Sequence, residues 1–203
     1  MIYLIITTCL NNKHGKNNPG HRQKWYMKSI SKALVFCKQL HIKPIIVENN
    51  GKRETYLDQF ASSCDIVYTE NNSVLTQNKA QNELLDIKGI IEKYNIQDDD
   101  MIIKLTGRYT LLNSDFFHLV SRTNFDAYVK FFNVCSMEYC INDCALGLYA
   151  IKAKFLKDFN YEFKKSPEVE FATYVRQNVK NISEIKDLML VYCLAENFRE
   201  VLV

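Results

Sequence analysis

Polar and charged residues follow several apolar runs of this sequence, at the points where buried strands would end. The four groups are Thr7 and Thr8, Glu48 to Gly51, Glu70 to Asn72, and Thr106 to Tyr109. Each group alone is typical of an ordinary turn, since Asn and Gly are favoured turn residues. In open α/β sheets, however, ligands bind outside the carboxyl ends of the strands, where such groups converge. The sequence therefore predicts a polar ligand site built from these strand ends.

The segments that position these groups alternate between strands and helices along the first half of the chain. Continuous β-branched and aromatic runs predict strands near residues 2–8, 45–48, 65–69 and 101–105. Apolar residues at helical spacing predict helices over 22–40, 53–61 and 78–94. This β-α-β-α-β-α-β order predicts an α/β fold with a mostly parallel sheet flanked by helices.

The second half of the chain has a less regular pattern. The expected elements are a short helix capped by Asn113 or Ser114 and running through His118, strands over 127–134 and 146–151, and a helix from Ser166-Pro167 to about residue 179. Residues 188–194 fit either a last strand or the start of a C-terminal helix. We expect a single domain over 1–203, with a nucleotide-binding half (1–110) and an acceptor-side half (111–203).

Composition excludes several classes of protein. The chain has 203 residues, of which 47% are hydrophobic and 24% charged, so disorder is excluded as the main state. A net charge of +3 is too mild to indicate a nucleic-acid binder by itself. Seven scattered cysteines favour reduced thiols, and Cys135, Cys140 and Cys144 lack the CxxC spacing of a zinc site. The apolar N-terminus lacks signal-peptide flanks and is too short to cross a bilayer, so we expect a cytoplasmic protein.

No GxGxxG or P-loop motif follows the first strand, but several other segments resemble glycosyltransferases of the GT-A type. The likeness is to the small nucleotide-sugar transferases of large DNA viruses and bacterial polysaccharide clusters. It rests on residues 5–9, Arg22, 47–51, 78–83, 103–109 and 147–151, and it covers roughly 1–180. The run Lys104-Leu105-Thr106-Gly107-Arg108-Tyr109 is the most specific. The resemblance implies a GT-A-like, Rossmann-like fold, and the host cytoplasm as location if the chain is viral.

The resemblance also implies how a nucleotide-sugar donor would bind. Thr7 and Thr8 would face the base and ribose, and Glu48 and Asn49 would contact the nucleoside. Arg22 would reach the diphosphate or stabilise the loop over it. The phosphates would lie near Lys79, on the first turn of its helix, where the helix dipole favours anions.

The chain departs from the family pattern at the end of the fourth strand. GT-A enzymes usually carry Asp-x-Asp there to hold a divalent metal ion, whereas this chain has Thr106-Gly107-Arg108. Its acidic triplet, Asp98 to Asp100, precedes the strand and reads as a solvated turn. Arg108, helped by Lys104 or Lys79, could neutralise the leaving diphosphate without a metal. No metal ligand is therefore predicted, and dependence on Mn²⁺ or Mg²⁺ stays open.

Glycosyl transfer with inversion needs a carboxylate base for the acceptor hydroxyl. The candidates in the second half are Glu138, Asp143, Glu168 and Glu170. Asp143 precedes an apolar run and could project into a cleft. Glu168 and Glu170 lie in the first turn of a helix, where carboxylates are favoured for structural reasons as well. We take Asp143 and Glu170 as the predicted catalytic residues, without choosing between inversion and retention.

Three functions remain open at this stage. The leading hypothesis is a glycosyltransferase that moves a sugar from a nucleotide-diphosphate donor to a glycan or glycoprotein acceptor. The second is a catalytically silent nucleotide- or glycan-binding module of the same fold, which the missing Asp-x-Asp favours. The third is a nucleic-acid-associated protein, slightly supported by Lys130, Phe131 and Phe132. Those aromatic residues fit a strand that faces a core, so no nucleic-acid partner is predicted.

Overall fold

The computed structural model describes residues 1–11, 19–51, 55–73, 78–193 and 199–203. The elements in chain order are β1 (Ile2–Thr8), α1 (Pro19–Leu40), β2 (Lys43–Glu48), β3 (Asp65–Tyr68), α2 (Lys79–Lys93), β4 (Met101–Thr106), β5 (Thr110–Leu111), α3 (Asp115–Arg122), β6 (Ala127–Val129), β7 (Phe132–Asn133), β8 (Glu138–Tyr139), β9 (Leu148–Lys152), α4 (Ala153–Asp158), α5 (Pro167–Asn178), β10 (Ile182–Glu184), β11 (Leu190–Cys193) and β12 (Glu200–Leu202). A one-turn 3₁₀ helix lies at Asp58–Phe60.

The central sheet has seven strands in the order β10-β6-β9-β4-β1-β2-β3. The neighbours β1–β2, β1–β4, β2–β3 and β6–β10 are parallel, whereas β9 runs antiparallel to both β4 and β6. A mostly parallel sheet flanked by helices confirms the predicted fold class. Its division into a nucleotide-binding half and an acceptor-side half stays a prediction.

Each face of the sheet is covered by its own helices, and this explains the unbroken apolar run of β1. Leu4 and Ile6 pack on the side of α1 and α3, while Tyr3 and Ile5 pack on the side of α2 and α5. A strand covered on both faces needs apolar residues at every position. Because side chains alternate along a strand, Thr7 continues the α2 side of the sheet.

Helix starts follow their capping residues. The Asn78 side chain accepts a hydrogen bond from the Ala80 amide at 2.9 Å, so α2 begins at Lys79. Ser166 caps α5 in the same way by accepting from the Val169 amide at 3.3 Å. Both helices therefore begin where side-chain oxygens can satisfy the first free backbone amides.

Several predicted boundaries are wrong. The helix expected over 53–61 is reduced to the single 3₁₀ turn, although residues 52–54 lie outside the described part. The strand expected over 127–134 stops at Val129, because Phe132–Asn133 leave the main sheet to pair with β8. The helix expected through His118 continues to Arg122, and α1 begins three residues before Arg22. Residues 190–193 form a strand, which decides the choice left open there.

Within the described residues, no helix is both long and apolar enough to cross a membrane.

Candidate functional site

Three strand ends meet at one edge of the sheet, as predicted from the polar groups that follow them. In the pairing register, Thr7 lies opposite both Val47 and Thr106. The Gly107 amide donates to the Thr7 carbonyl at 2.9 Å, and the Asn49 amide donates to the Thr8 carbonyl at 3.3 Å. The chain segments after β1, β2 and β4 are therefore tied together immediately beyond the sheet.

Gly107 allows this close approach. A Cβ atom added there would lie 2.9 Å from Thr8 Cγ2, 3.0 Å from the Thr7 carbonyl oxygen and 3.0 Å from Tyr26 Cδ1. Contacts below about 3.0 Å force neighbouring atoms to shift, and one of these atoms belongs to the backbone. Glycine is thus required where the chain turns from β4 into the site.

The first two turns of α2 present polar residues to these strand ends. Lys79, Asn82, Glu83 and Asp86 follow the i, i+3, i+4, i+7 spacing of one helix face. Glu83 forms an ion pair with Lys104 of β4, with 2.6 Å between Oε2 and Nζ. The apolar residues Leu84, Ile87, Ile90 and Ile91 of the same helix pack into the core. The site therefore sits where the contact between α2 and the sheet changes from apolar to polar.

Three basic residues, Arg22, Lys79 and Arg108, line one small cavity at this edge. Among the described residues, none of the three forms an ion pair. Burial, together with the nearby charges of Arg108 and Arg22, lowers the pKa of Lys79 to about 8, although Glu83 acts against this shift. Three cations that line one cavity form an electrostatic site for an anion such as a phosphate.

Neutral partners hold the two arginines in place. Arg22 is 1% exposed, and it donates through Nε to the Cys9 carbonyl and through Nη2 to the Tyr26 hydroxyl. Arg108 donates in the same manner to the Cys193 carbonyl at 3.1 Å and the Tyr109 hydroxyl at 2.9 Å. None of these hydrogen-bond partners is a carboxylate. Glu83 lines the same cavity and attracts Arg108 electrostatically, but its ion pair is with Lys104, so the cations outnumber this one carboxylate.

A larger cleft of about 490 Å³ adjoins this cavity and shares Lys79, Glu83, Thr106 and Arg108 with it. The predicted base Asp143 also lines this cleft. Its carboxylate accepts from Asn133 Nδ2 and from the Cys144 amide, both at 2.7 Å. Burial raises the pKa of Asp143 above its ordinary value. A carboxylate with a raised pKa retains an abstracted proton better than an exposed one does.

The second predicted base, Glu170, has a different environment. Its two carboxylate oxygens accept hydrogen bonds from four consecutive backbone amides, those of residues 162–165, at 2.7–3.1 Å. Burial acts to raise the pKa of Glu170, but these backbone donors outweigh it and lower the pKa. The cleft is lined by Glu168 and not by Glu170. This geometry favours a structural role for Glu170, as the anchor of the loop before α5.

Two residues predicted to bind the donor are satisfied by the protein itself. Glu48 is buried and accepts from the Leu10 amide, Asn50 Nδ2 and the Tyr56 hydroxyl at 3.2, 2.6 and 3.3 Å. Lys104 Nζ contacts Glu83, donates to Thr106 Oγ1 at 2.6 Å and donates to the Leu146 carbonyl at 2.9 Å. An ammonium group has three hydrogens, so Lys104 has none left for a phosphate. The contacts of Glu48 and Lys104 therefore hold neighbouring segments of the site together.

Asp86 is the buried acid that the sequence analysis missed. It is 0% exposed, and it accepts from Thr69 Oγ1 and Asn71 Nδ2 at 2.6 Å and from Asn49 Nδ2 at 3.1 Å. Burial raises the pKa of Asp86 to about 6, although the three donors act against the rise. The available signal was the polar spacing on α2, which places residue 86 on the same face as Lys79 and Glu83.

The acidic triplet lies at the opposite edge of the sheet, as the sequence indicated. The side chains of Asp98 and Asp99 are 67% and 81% exposed and pair with Lys157 and Lys154. Asp100 pairs with the N-terminal amine. Within the described ranges, no group of three or more His, Cys, Asp or Glu side chains could hold a metal ion. The segment at the end of β4, Thr106 to Arg108, contains no carboxylate and carries a cationic side chain, so its own chemistry does not match Asp-x-Asp.

No protein-family model and no curated protein matches the chain, but solved structures do. The inositol-1-phosphate CTP transferase from T. maritima superposes with a TM-score of 0.56 at 11% identity, covering 91% of this chain and 85% of that one. A protein assigned as a glucose-1-phosphate thymidylyltransferase from Bacillus anthracis has a TM-score of 0.54 at 13% identity, covering 92% and 87%. A protein assigned as a nucleotide-diphospho-sugar transferase from Desulfovibrio desulfuricans has a TM-score of 0.56 at 8% identity, covering 91% and 79%.

The chain has the fold of nucleotide-diphospho-sugar transferases. At these identities the likeness establishes the fold alone. The expected GT-A-like architecture is thus supported at the level of this broader fold group, which also includes nucleotidyltransferases.

Proposed function

We propose that the protein is a glycosyltransferase that moves a sugar from a nucleotide-diphosphate sugar to a hydroxyl of a glycan acceptor. The observation that carries this proposal is the composition of the cleft. Lys79 and Arg108, which form no ion pair among the described residues, line it together with the buried carboxylate of Asp143. A cation pair for a leaving diphosphate and a base for an acceptor hydroxyl are the two groups that inverting sugar transfer requires.

The donor would lie across both cavities. Its diphosphate would contact Lys79 and Arg108, with Arg22 behind them, at the N-terminus of α2. Its sugar would extend into the larger cleft toward Asp143. In an inverting reaction, the acceptor oxygen bonds to the anomeric carbon while the bond to the diphosphate oxygen breaks. The electron pair of that bond leaves with the diphosphate, and the acceptor proton passes to Asp143.

A nucleotidyltransferase is the second candidate, because solved structures with this fold carry that activity in their descriptions. In that reaction a sugar phosphate attacks a nucleoside triphosphate and pyrophosphate leaves. A sugar phosphate is already ionised at neutral pH and needs no base to attack, whereas an acceptor hydroxyl needs one. We rank sugar transfer first because the Asp143 carboxylate lines the cleft beside Lys79 and Arg108.

The test compares the products of two incubations. In one, the protein receives nucleoside-diphosphate sugars with a panel of saccharide acceptors; in the other, it receives nucleoside triphosphates with sugar 1-phosphates. Each is run with and without Mn²⁺ or Mg²⁺. Acceptor-dependent release of nucleoside diphosphate is the expected result. Pyrophosphate release alone would establish nucleotidyl transfer, and donor binding without either product would establish a silent binding module; both outcomes overturn the proposal.

Asp143→Asn and Glu168→Gln form a matched pair for the base assignment. Both residues line the cleft, so both variants remove one carboxylate charge from the same place. The Asp143 variant is expected to lose transfer by at least about a hundredfold while still binding donor. If the Glu168 variant loses transfer and the Asp143 variant does not, the base is assigned to the wrong residue.

A further inference from the structure

The small cavity contains two buried oxygen atoms that have no hydrogen-bond partner among the described residues. They are Thr7 Oγ1 and Asn49 Oδ1. Thr7 is 3% exposed and Asn49 is 4% exposed, and both residues line the cavity together with the three cations. A buried polar atom without a partner destabilises the folded protein, because it has lost its hydrogen bonds to water. Two such atoms facing one cavity therefore indicate a place where a ligand supplies the missing hydrogen bond.

Asp86 decides which end of the Asn49 amide faces the cavity. The Asp86 Oδ2 atom accepts from Asn49 Nδ2, and a carboxylate cannot donate a hydrogen bond in return. The other oxygen, Oδ1, is held by Thr69 and Asn71, so the carboxylate cannot turn away. With its nitrogen fixed on Asp86, Asn49 presents only its carbonyl oxygen to the cavity. A ligand group at this point must therefore donate a hydrogen bond.

We propose that Asp86 is a positioning residue that locks Asn49 as a hydrogen-bond acceptor for a ribose hydroxyl of the nucleotide. This inference rests on the proposed use of the cavity for a nucleotide. The cavity measures about 10 Å³, which admits one hydroxyl-sized group and not the edge of a base. The ribose of a nucleotide is joined covalently to its phosphates, so the diphosphate must lie next to the ribose. The cations that line the same cavity are in the right place to bind it. Thr7 Oγ1 supplies the second contact to the same hydroxyl.

Fluorine substitution of the ribose tests the acceptor role directly. A 2′- or 3′-fluoro group fills the place of the hydroxyl but cannot donate a hydrogen bond. Binding is measured by calorimetry, first with UDP, CDP, GDP and ADP to find the tightest diphosphate, and then with its 2′-fluoro and 3′-fluoro analogues. For the wild-type protein, one analogue is expected to bind at least about tenfold more weakly than the parent, as expected for one lost buried hydrogen bond.

Asp86→Asn separates positioning from a merely structural role. The new amide of residue 86 can donate to Asn49 Oδ1, so the Asn49 side chain can rotate and present its NH2 group to the cavity. An NH2 group can face a fluorine atom without repulsion, whereas a carbonyl oxygen cannot. The ratio between the affinities for the parent and the fluoro analogue is therefore expected to fall from about tenfold toward one. In the Asn49→Ala background, Asp86→Asn should change this ratio no further, because the residue through which it acts is gone.

Two controls complete the design. Thr69→Val removes a hydrogen bond from the other oxygen of Asp86 and leaves the bond to Asn49 in place, so the analogue ratio should stay at the wild-type value. Inorganic pyrophosphate lacks a ribose, so its affinity should be the same for wild type and Asp86→Asn. A fall in pyrophosphate affinity would show that Asp86→Asn disturbs the whole site, and this would overturn the positioning role.

The outcomes distinguish this inference from the proposed function. If wild type binds the parent and both fluoro analogues equally, the ribose hydroxyl assignment is wrong, whether or not sugar transfer is observed. If wild type discriminates and Asp86→Asn does not, the inference holds even where no transfer occurs. If wild type binds none of the four diphosphates, both proposals are wrong.

Discussion

The buried carboxylate of Asp86 should make the stability of the protein depend on pH in a defined window. Its pKa is 3.8 when exposed and about 6 in the folded protein. Between these two values the folded state holds the proton more tightly than the unfolded state does. Stability therefore falls as pH rises from about 4 to about 6 and stays lower above that. The difference between the two pKa values corresponds to a change of about 3 kcal/mol in the free energy of unfolding.

Asp86→Asn removes this titration. At pH 7 the variant avoids the cost of a buried charge. Its carbonyl oxygen can still accept from Thr69 and Asn71, and its NH2 group can donate to a rotated Asn49, so the variant should be up to about 3 kcal/mol more stable than wild type. At pH 4.5 most of this advantage should be lost, because the wild-type carboxyl is then largely protonated in the folded state.

The assay is urea unfolding of both proteins at several pH values from 4.5 to 7.5. Subtracting the two free energies of unfolding cancels every other group that titrates in both. Wild type minus variant should fall by about 2 kcal/mol between pH 4.5 and 7.5. Glu92→Gln, at an exposed position of the same helix, is the matched control and should change by less than about 1 kcal/mol. A flat difference for Asp86→Asn would refute the buried, charge-destabilised state of this carboxyl.

The remaining predictions concern the basic residues of the site and Gly147, which is closely packed against two tyrosine rings. Arg108→Ala should lower donor turnover at least about a hundredfold, whereas Asp98→Asn with Asp99→Asn should leave turnover within a few-fold; the reverse pattern would place the diphosphate at the wrong edge of the sheet. The affinity for a nucleoside diphosphate should fall as pH rises through about 8, because Lys79 loses its charge there, and Lys79→Arg should bind equally at pH 7 and 9. Gly147→Ala should lower the free energy of unfolding by about 1–3 kcal/mol, because its Cβ would lie 2.5 Å from the rings of both Tyr109 and Tyr192; an unchanged urea midpoint would contradict this.

The sequence predicted those strands and helices that have a recognisable hydrophobic pattern within their own residues. The runs at 2–8 and 101–105 are buried on both faces, and such strands are recognisable because every position is apolar. The helix 78–94 was equally clear from its spacing, and Asn78 caps it as its position suggests. Strands of two or three residues, such as β5 and β10, carry no periodic signal, so they were missed. They exist because of their partners in the sheet.

The site was predictable in its location and less so in the roles of its residues. The convergence of Thr7, Asn49 and Arg108 followed from the general position of ligands in open α/β sheets. Sequence could not show that Glu48 and Lys104 are satisfied by the protein, since their partners come from distant segments such as residues 10, 56 and 146. Nor could it separate Asp143 from Glu170, because the groups that contact each carboxylate include Asn133 for Asp143 and the backbone amides of residues 162–165 for Glu170. Only the three-dimensional contacts show which one lines the cleft.

Several buried charges lie between α2 and the ends of the strands. The Asp86 carboxylate is hydrogen-bonded only to neutral donors, and Lys79 and Arg108 form no ion pair among the described residues. Pairing these opposite charges would be more stable, yet Asp86 contacts only neutral donors. On the proposed function, a phosphate would compensate the cations, and Asp86 would keep its charge to orient the Asn49 amide. Keeping the two charges apart would then lower the stability of the ligand-free protein and favour binding of a ribose and a diphosphate side by side.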